Sequence, residues 1–491
     1  MKITILGAGT AGLISALVLK KTYPLYDINV IESSTIGIIG VGEGSTEHWK
    51  SFIDYCDINV HQLIRETDAA LKKGIKFENW NGDGLSYFHS ISDPFYTEFS
   101  QGHLPNSRVF ARSLVSNNVK TEDVLLETNL VQHYGGIQTT NQYHFNTFKL
   151  NEFLHKICSE RGISFTNTTI TDVNVNEFGD VVSLVSDSGV YEADFFVDSS
   201  GMKRVISSKL GAKWVSYKKY LPMNHALAFP TEDVSDLKPY TLSRALSSGW
   251  NWRISTQGRY GNGYVFCDDF IDSDKAHAEI QSVYSEEVKV AKDIKFEAGR
   301  VDKFWINNCL SIGLSASFVE PLEASSIGNS ILQAFGLVNM LDHWMIDRKI
   351  SETYNKKFTS CFDNIVDFVQ LHYMTKRIDT EFWRAIPTMM EMTDFNKEYL
   401  HVFAKTLPTQ SVFLGEYNMF NASNYTQVMQ GLGLLDANYI KQSLVSSLGD
   451  TVDKEQMVKY NQYLTDVEKG VYIDHKTLLE QNRYVVKLDR I

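Results

Sequence analysis

Three glycines near the N-terminus restrict the fold of this chain more than any other feature. The segment Gly7-Ala8-Gly9-Thr10-Ala11-Gly12 follows a short apolar run and precedes a helical pattern from Thr10 to about Lys20. In such a turn the first glycine permits a sharp bend, the second lets a pyrophosphate approach the backbone, and the third lets the helix pack closely on the strand. The helix N–H groups would then point at the phosphates.

A second strand, Ile28 to Ile31, ends at Glu32, which is 20 residues after Gly12. An acid at this distance accepts the ribose hydroxyls of a bound dinucleotide. Strand, glycines, helix, strand and acid together predict a dinucleotide-binding α/β unit. No second complete glycine fingerprint follows in the sequence, so we expect one tightly bound dinucleotide and no separate NAD(P)H domain.

An alternative for the same segment is a secretory signal peptide, because Lys2 precedes an apolar run that reaches Leu19. Gly7, Gly9 and Gly12 would weaken a signal helix, and no small-residue cleavage site follows Lys20. We therefore favour the strand, turn and helix, and we expect a cytoplasmic protein.

Composition excludes several classes of partner. The chain has 491 residues, of which 43% are hydrophobic, which is enough for a large core. Lys and Arg number 47 against 59 Asp and Glu, and the net charge of −12 argues against nucleic acid or an anionic membrane as partner. Five cysteines without paired spacing and the absence of C-x-x-C or H-E-x-x-H segments predict reduced thiols and no metal site.

Two further segments resemble strand ends that approach a cofactor. Short strands from Val181 to Val197 lead into Asp198-Ser199-Ser200-Gly201, and a strand from Cys309 to Ile312 leads into Gly313. A helix is predicted from about Ser326 to Leu341, and the pattern is helical and aromatic from Ile350 onward. We expect this last region to shape a substrate cavity, although such aromatics more often fill a core.

Four motifs resemble those of flavin-dependent halogenases, most closely the tryptophan-halogenase type, from the N-terminus to about Gly433. The motifs are Gly249-Trp250-Asn251-Trp252-Arg253-Ile254, Gly40-Val41-Gly42-Glu43, Leu71-Lys72-Lys73-Gly74-Ile75-Lys76-Phe77 and Phe318-Val319-Glu320-Pro321-Leu322-Glu323. Ser255 stands where the family has a proline after the tryptophan motif. The tryptophan pair with the lysine and glutamate segments is far more specific than the glycine fingerprint.

The resemblance implies a Rossmann-type FAD-binding domain of the flavin monooxygenase kind, at residues 1–345 with an inserted substrate-side segment at about 80–150. A mostly helical substrate-binding region would occupy residues 346–491. It implies that reduced FAD, dioxygen and halide yield hypohalous acid, which Lys72 and Glu323 direct onto an electron-rich aromatic. A separate flavin reductase would supply the reduced FAD, and the protein would form a homo-oligomer.

The resemblance and the motifs together give a set of candidate site residues. Lys72 and Glu323 are the predicted catalytic pair, and the backbone of Ser325 and Ser326 is the predicted halide site. The predicted FAD contacts are Gly7, Gly9, Thr10, Ala11, Gly12, Glu32, Gly40, Val41, Gly42, Glu43, Ser200, Gly201, Gly313 and Ile327. The predicted substrate side and tunnel comprise His89, Trp250, Trp252, Ser315, Phe318 and Pro321.

The presence of each of these residues can also be explained without a role in catalysis. Lys72 could be a solvated surface charge, Glu323 could cap the following helix, and the two tryptophans could only fill core. Two alternative functions are an aromatic hydroxylase that uses NAD(P)H and a flavin-binding protein without activity.

Two departures from the family carry expectations of their own. Ser325-Ser326 replaces the usual Thr-Gly, so we expect bromide or iodide to be used at least as well as chloride. The segment from Leu407 to Gly431, with Phe413, Tyr417, Phe420 and Tyr425, is short. We therefore expect free tryptophan to be a poor substrate and a phenol or an indole-like aromatic to fit better.

Overall fold

A computed structural model describes residues 1–37, 43–90, 105–119, 128–133, 136–232 and 236–483. The strands are β1 Lys2–Leu6, β2 Asp27–Glu32, β3 Glu43–Gly44, β4 Ala70–Lys72, β5 Gly74–Glu78, β6 Ser86–Ser90, β7 Leu130–Gln132, β8 Gln142–Phe145, β9 Ser164–Asn167, β10 Ile170–Val175, β11 Val181–Ser186, β12 Gly189–Glu192, β13 Phe195–Asp198, β14 Trp214–Ser216, β15 His225–Thr231, β16 Thr241–Ala245, β17 Gly249–Ser255, β18 Tyr260–Phe266, β19 Lys292–Lys295, β20 Gly299–Val301, β21 Trp305–Ile306, β22 Cys309–Ser311, β23 Ser317–Phe318 and β24 Tyr472–Asp474.

The described helices fall between these strands and dominate the last third of the chain. They are α1 Thr10–Thr22, α2 His48–Tyr55, α3 Val60–Thr67, α4 Pro105–Ser116, α5 Gly136–Thr139, α6 Thr147–Glu160, α7 Val205–Lys209, α8 Ser273–Val283, α9 Ser325–Ile346, α10 Ile350–Leu371, α11 Glu381–Met389, α12 Asp394–Thr406, α13 Ala422–Gly431, α14 Ala437–Leu448, α15 Asp450–Glu468 and α16 His475–Asn482.

The chain divides into two compact units, each assembled from three separate segments. Unit 1 comprises residues 1–70, 141–218 and 295–362, and unit 2 comprises residues 71–140, 219–294 and 363–491. These boundaries differ from a division at residue 345, and the assignment of 1–345 to FAD and of 346–491 to substrate remains a prediction.

Unit 1 is built on a six-stranded sheet in the order β21-β22-β13-β1-β2-β9. The pairs from β22 to β9 are parallel, so the turns after β1 and β13 and the end of β2 meet at one edge. Helix α1 buries Leu13, Ile14, Leu17 and Val18 against this sheet and its neighbouring helices. The parallel sheet with a glycine turn after its central strand confirms the Rossmann-type α/β fold.

A small antiparallel sheet, β10-β11-β12, packs against the large sheet of unit 1. Its inward side chains, Val173, Val181 and Leu184, form one apolar cluster with Phe196 of the large sheet and Ile206 of α7. This cluster holds β13, and therefore the loop that follows Asp198, against the rest of the unit.

Unit 2 is built on a seven-stranded sheet in the order β19-β15-β18-β17-β16-β5-β6. Strands β15 to β18 pair antiparallel, β16 pairs parallel with β5, and β5 and β6 form a hairpin. The two tryptophans of the halogenase-like motif lie on β17, Lys72 comes two residues before β5, and His89 lies on β6. The sheet thus carries His89, Trp250 and Trp252, three of the six predicted substrate-side residues.

Candidate active site

The glycine turn after β1 has the geometry that a dinucleotide site requires. Gly7 has a φ of +112°, and a Cβ there would meet the carbonyl oxygen of Ser199 at 2.2 Å. A Cβ at Gly12 would meet the carbonyl oxygen of Gly7 at 2.0 Å, so α1 can approach only with glycine at this position. A Cβ at Gly9 would meet nothing within 4 Å, which leaves open space beside the turn. The turn therefore fits a bound pyrophosphate, with Thr10 and Ala11 half-buried beside it.

Glu32 is the last residue of β2, at the edge of the sheet where the glycine turn lies. One of its carboxylate oxygens is 3.4 Å from Nε2 of His155, whose ring stacks on Phe165 with centroids 3.7 Å apart. His155 is a neighbour that the sequence did not single out, because α6 follows β2 by more than a hundred residues.

The buried carboxylate of Asp198 organises the loop after β13. One oxygen accepts the backbone N–H of Ser200 at 3.1 Å and its hydroxyl at 2.6 Å. The other accepts the N–H groups of Ile206 and Ser207 at 3.0 and 2.8 Å. Charge-assisted bonds of this kind hold a loop firmly, so Ser200 and Gly201 are presented in one conformation.

Ser315 joins the same polar network. Its hydroxyl lies 3.1 Å from the carbonyl oxygen of Gly201 and 3.3 Å from Asp198, and the residue is fully buried in the turn Gly313–Ser315. These contacts are all within unit 1, whereas the sequence placed Ser315 on the substrate side. The structure gives Ser315 a structural bond to the loop after β13, and its role beside the substrate remains a prediction.

The glutamate motif forms a 3-10 turn, Pro321–Glu323, directly before the long helix α9. Glu323 is 3% exposed and Glu320 is 1% exposed, so both acids of the motif are buried. Between Glu323 and the helix, Ala324 has a left-handed conformation with a φ of +53°, which is uncommon and costly for a residue with a side chain. This conformation lets the helix start immediately after the acid.

The first residues of α9 are the predicted halide and flavin contacts. Ser325 is 3% exposed, Ser326 is exposed and Ile327 is buried. No side chain caps this helix end, and no acid lies in its first turn. A helix N-terminus of this kind attracts anions through its N–H groups. Upstream, Phe318 packs edge-to-face on Phe296 at 5.1 Å, and Pro321 is exposed.

Lys72 is 2% exposed at the end of β4. Because the residue is almost fully buried, it is not a solvated surface charge. Lysine is seldom buried so completely in proteins. The nearby Lys73 and Lys76 are both half-buried. Lys72 belongs to unit 2, together with His89 and the tryptophan pair, whereas Glu323 belongs to unit 1.

His89 lies on β6 and is 5% exposed. Its Nε2 is 2.9 Å from the side-chain nitrogen of Asn424, and its ring packs edge-to-face on Phe368 at 5.3 Å. Asn424 and Phe368 come from α13 and α10, so the surroundings of His89 are assembled from distant parts of unit 2.

Trp250 and Trp252 alternate along β17 and therefore project from the same face of the sheet. They are 1% and 5% exposed, with ring centroids 6.2 Å apart. A Cβ on the paired Gly263 would meet the ring of Trp252 at 2.0 Å, so this glycine makes room for the indole. The pair forms a rigid aromatic wall within unit 2.

The aromatic residues of the segment from Leu407 to Gly431 pack inside unit 2. Phe420 stacks on Phe368 with centroids 4.1 Å apart, and Tyr425 lies 5.2 Å from both Phe368 and Phe413. These residues and Tyr417 are buried. The packing agrees with the expectation that most aromatics of this region fill a core.

The remaining predictions concern the segment from Gly40 to Glu43, the cysteines, metal binding and membrane spans. Gly40, Val41 and Gly42 lie outside the described residues, and only the backbone of Glu43 is described, in β3. All five cysteines are within the described residues and none forms a disulfide. In the parts of the chain that the structure describes, no group of His, Cys, Asp and Glu is arranged for a metal ion. No described helix has the length and apolar character needed to cross a membrane.

A family model described as tryptophan halogenase matches residues 2–446. The chain belongs to the tryptophan halogenase family. This halogenase is 30% identical over 475 residues to tryptophan 7-halogenase RebH of Lentzea aerocolonigenes, an alignment that covers 88% of this chain and 90% of that protein. It is a flavin-dependent enzyme of the oxidoreductase class, as the resemblance of its motifs predicted.

Solved structures of halogenases have the same fold. The tryptophan 6-halogenase SttH of Streptomyces toxytricini is 25% identical with a TM-score of 0.81, and the alignment covers 98% of this chain and 99% of that one. A tryptophan halogenase of Shewanella frigidimarina is 24% identical with a TM-score of 0.86, covering 99% and 98%, and at this identity it shows the fold alone.

Proposed function

We propose that this halogenase uses reduced FAD, dioxygen and a halide ion to halogenate an electron-rich aromatic, with Lys72 and Glu323 as its catalytic residues. The observation that carries the proposal is the burial of Lys72, at 2% exposure, in the lysine segment that resembles the family. Holding an ammonium group away from water is costly, which favours a functional reason for its position.

The FAD site would lie at the edge of the unit 1 sheet. Gly7, Gly9 and Gly12 would receive the pyrophosphate and Glu32 the ribose, because their geometry suits both groups. The remaining proposed contacts are Thr10, Ala11, Ser200, Gly201, Gly313, Ile327 and the segment from Gly40 to Glu43. Reduced FAD, when bound there, would give two electrons to dioxygen, and with halide and a proton the products would be hypohalous acid, oxidised FAD and water.

The halide would bind at the backbone N–H groups of Ser325 and Ser326. These groups open the uncapped helix α9, whose dipole favours an anion at this end. In the chain this proposed anion site would follow Glu323 closely, with only the left-handed Ala324 between them.

Lys72 would activate the hypohalous acid. In one form its ammonium group hydrogen-bonds to the acid oxygen and gives it a proton as the oxygen–halogen bond breaks, so that water leaves and halogen passes to the ring carbon. In the other form its neutral amine takes the halogen first and then transfers it. Glu323 would take the proton that the ring carbon loses and would stabilise the cationic ring before that loss.

Trp250 and Trp252 would separate the flavin chemistry from the aromatic substrate. Their rigid packing on β17 and over Gly263 suits a barrier that keeps oxygen from passing directly to the ring. His89, Phe318 and Pro321 would line the substrate side. A separate flavin reductase would supply reduced FAD, since the sequence has one glycine fingerprint. Assembly as a homo-oligomer is part of the same proposal.

The substrate would be a phenol or an indole-bearing compound. Relatives named as tryptophan halogenases favour an indole, and they give no support to the expectation that free tryptophan is a poor substrate. Free tryptophan therefore belongs in the substrate panel beside simple indoles and phenols.

The test is a reaction with chemically reduced FAD, air, one halide and a panel of aromatics, followed by mass spectrometry. We expect halogenated product that depends on halide, and Lys72→Ala should abolish it while FAD binding and peroxide formation remain. Lys76→Ala is the matched control, because it removes a half-buried lysine on β5, four residues from Lys72. Hydroxylated product without halide, or full activity of Lys72→Ala, would refute the proposal.

A further inference from the structure

The backbone on both sides of Lys72 is held by groups from distant parts of unit 2. The N–H of Leu71 donates to Nε2 of His475 at 3.0 Å, and the N–H of Lys73 donates to the carbonyl oxygen of Pro239 at 2.7 Å. A buried N–H needs such an acceptor, and here the two acceptors flank the proposed catalytic residue. The Cα of Lys72 therefore lies between two hydrogen-bonded amides.

The ring of His475 has one possible arrangement of its proton. Its Nδ1 is 3.0 Å from the carbonyl oxygen of Leu237, which can only accept, so Nδ1 carries the hydrogen. Nε2 is then the lone-pair nitrogen that the Leu71 N–H requires. The residue is fully buried, and this burial lowers the pKa of His475 to about 4, so the ring is neutral at neutral pH.

Hydrogen bonds of the neighbouring helix and strand fix the position of His475. It is the first residue of α16, and Asp474 caps this helix by accepting the N–H of Thr477 at 3.0 Å. The preceding strand β24 pairs with β7, and the N–H of His475 donates to the carbonyl oxygen of Asn129 at 2.9 Å. The imidazole thus reaches Leu71 from a firmly attached segment.

We infer that His475 is a positioning residue for Lys72, which it holds in place for halogen transfer through the backbone of Leu71. The inference depends on the proposed catalytic role of Lys72. His475 lies outside the residues that the family model matches, 2–446. Small displacements of a catalytic group cost large factors in rate, which is why one backbone contact matters.

Three variants separate positioning from general stability. His475→Phe keeps a buried ring but removes both hydrogen bonds, and His475→Gln retains one acceptor and one donor on a side-chain amide. Leu479→Ala is the matched control, because Leu479 is buried in the same helix α16 and its loss loosens the helix while leaving the imidazole in place. All variants are assayed as full-length protein, below their unfolding midpoints.

In His475→Phe, we expect the peptide that contains Leu71 and Lys73 to exchange its amide hydrogens faster than in the parent protein. Hydrogen-exchange mass spectrometry measures this rate. The kcat of this variant for halogenation should fall by about tenfold or more, with FAD affinity and the KM for the aromatic within about twofold of the parent, as a displaced catalytic group would give. His475→Gln should recover most of the kcat, and Leu479→Ala should keep it within about twofold.

Two results would overturn the inference. One is unchanged exchange at Leu71 in His475→Phe, and the other is a kcat for His475→Phe equal to that of Leu479→Ala. A Lys72→Ala variant that still makes product would instead overturn the catalytic role of Lys72, and this result is distinguishable because it does not involve His475.

Discussion

The side-chain nitrogen of Asn424 lies 2.9 Å from Nε2 of His89, and its side-chain oxygen accepts the backbone N–H of Asn421 at 2.7 Å. A backbone N–H can only donate, so the oxygen of the amide must face Asn421 and the amino group must face His89. Nε2 of His89 therefore accepts, and the proton of the neutral ring is on Nδ1.

Asn424→Asp tests the importance of this orientation. Aspartate still accepts the N–H of Asn421 in the capping box of α13, but it can no longer donate to His89. A carboxylate would draw the His89 proton from Nδ1 to Nε2, so we expect a fall of about tenfold in kcat/KM for the aromatic, and the buried charge should lower the unfolding midpoint. Steady-state kinetics and thermal unfolding measure the two quantities.

A double variant provides the control for this prediction. In a His89→Gln background the glutamine amide can turn to donate to aspartate, so Asn424→Asp should then have little further effect. Parental kcat/KM in Asn424→Asp alone would show that the direction of this hydrogen bond is unimportant.

Asp198→Asn should destabilise unit 1. The buried carboxylate accepts bonds from Ser200, Ile206 and Ser207, and an amide would turn a donor toward some of these donors. We expect a loss of about 2–4 kcal/mol in the free energy of unfolding, measured with urea, and weaker FAD binding. Asp172→Asn, at an exposed ion pair with Lys209, should change little. Equal effects of the two substitutions would contradict this account.

Stability should depend on pH through His475. Burial, the largest cause, and the charge of Lys73 lower the pKa of His475 from 6.5 to about 4, while its bond to Leu237 and the charge of Asp474 oppose this. The unfolded chain binds the proton more readily than the folded chain, so this contribution is complete above pH 6.5 and is lost as the pH falls toward 4.

The size of this contribution is about 3.5 kcal/mol, from a shift of about 2.5 pKa units (6.5 − 4) at about 1.4 kcal/mol each. Urea unfolding of the parent and of His475→Gln at several pH values between 4 and 7 measures it as a difference, because the acidic residues shared by both proteins cancel. Parallel pH profiles for the two proteins would be the contrary outcome.

The preference among halides should depend on the residues at the start of α9. With Ser325 and Ser326 in place of Thr-Gly, we expect bromide or iodide to be incorporated at least as well as chloride when all are present together. Ser326→Gly, at an exposed position, should shift the product ratio toward chloride without loss of stability. Mass spectrometry of the mixed products gives the ratio, and a clear chloride preference of the parent would refute the expectation.

The nucleotide-binding part of the fold could be predicted because its signals are local. The strand, glycine turn and helix occupy residues 2–22, and the structure has β1 and α1 there, with Glu32 as the last residue of β2. The predicted helix near Ser326 is present and extends to Ile346. Turn geometry and apolar periodicity act within a few residues, so they are visible in the sequence.

The polar contacts of unit 2 have no local signal. His475 and Leu71 are separated by 404 residues, and Asn424 and His89 by 335. Nothing near a single histidine shows which distant amide it will meet. For the same reason the burial of Lys72 could not be predicted from its lysine-rich neighbourhood, and only the resemblance to the family distinguished it.

The division of each unit into three segments has a consequence for biosynthesis. Unit 1 needs residues from 295–362, and unit 2 needs residues beyond 363, before either can close its core. The strand that carries Lys72 leaves the ribosome early, yet its partner His475 is made some four hundred codons later. Unit 1 is therefore complete only when residue 362 has been made and unit 2 only when its last segment has been made, and no continuous fragment consists of one unit alone.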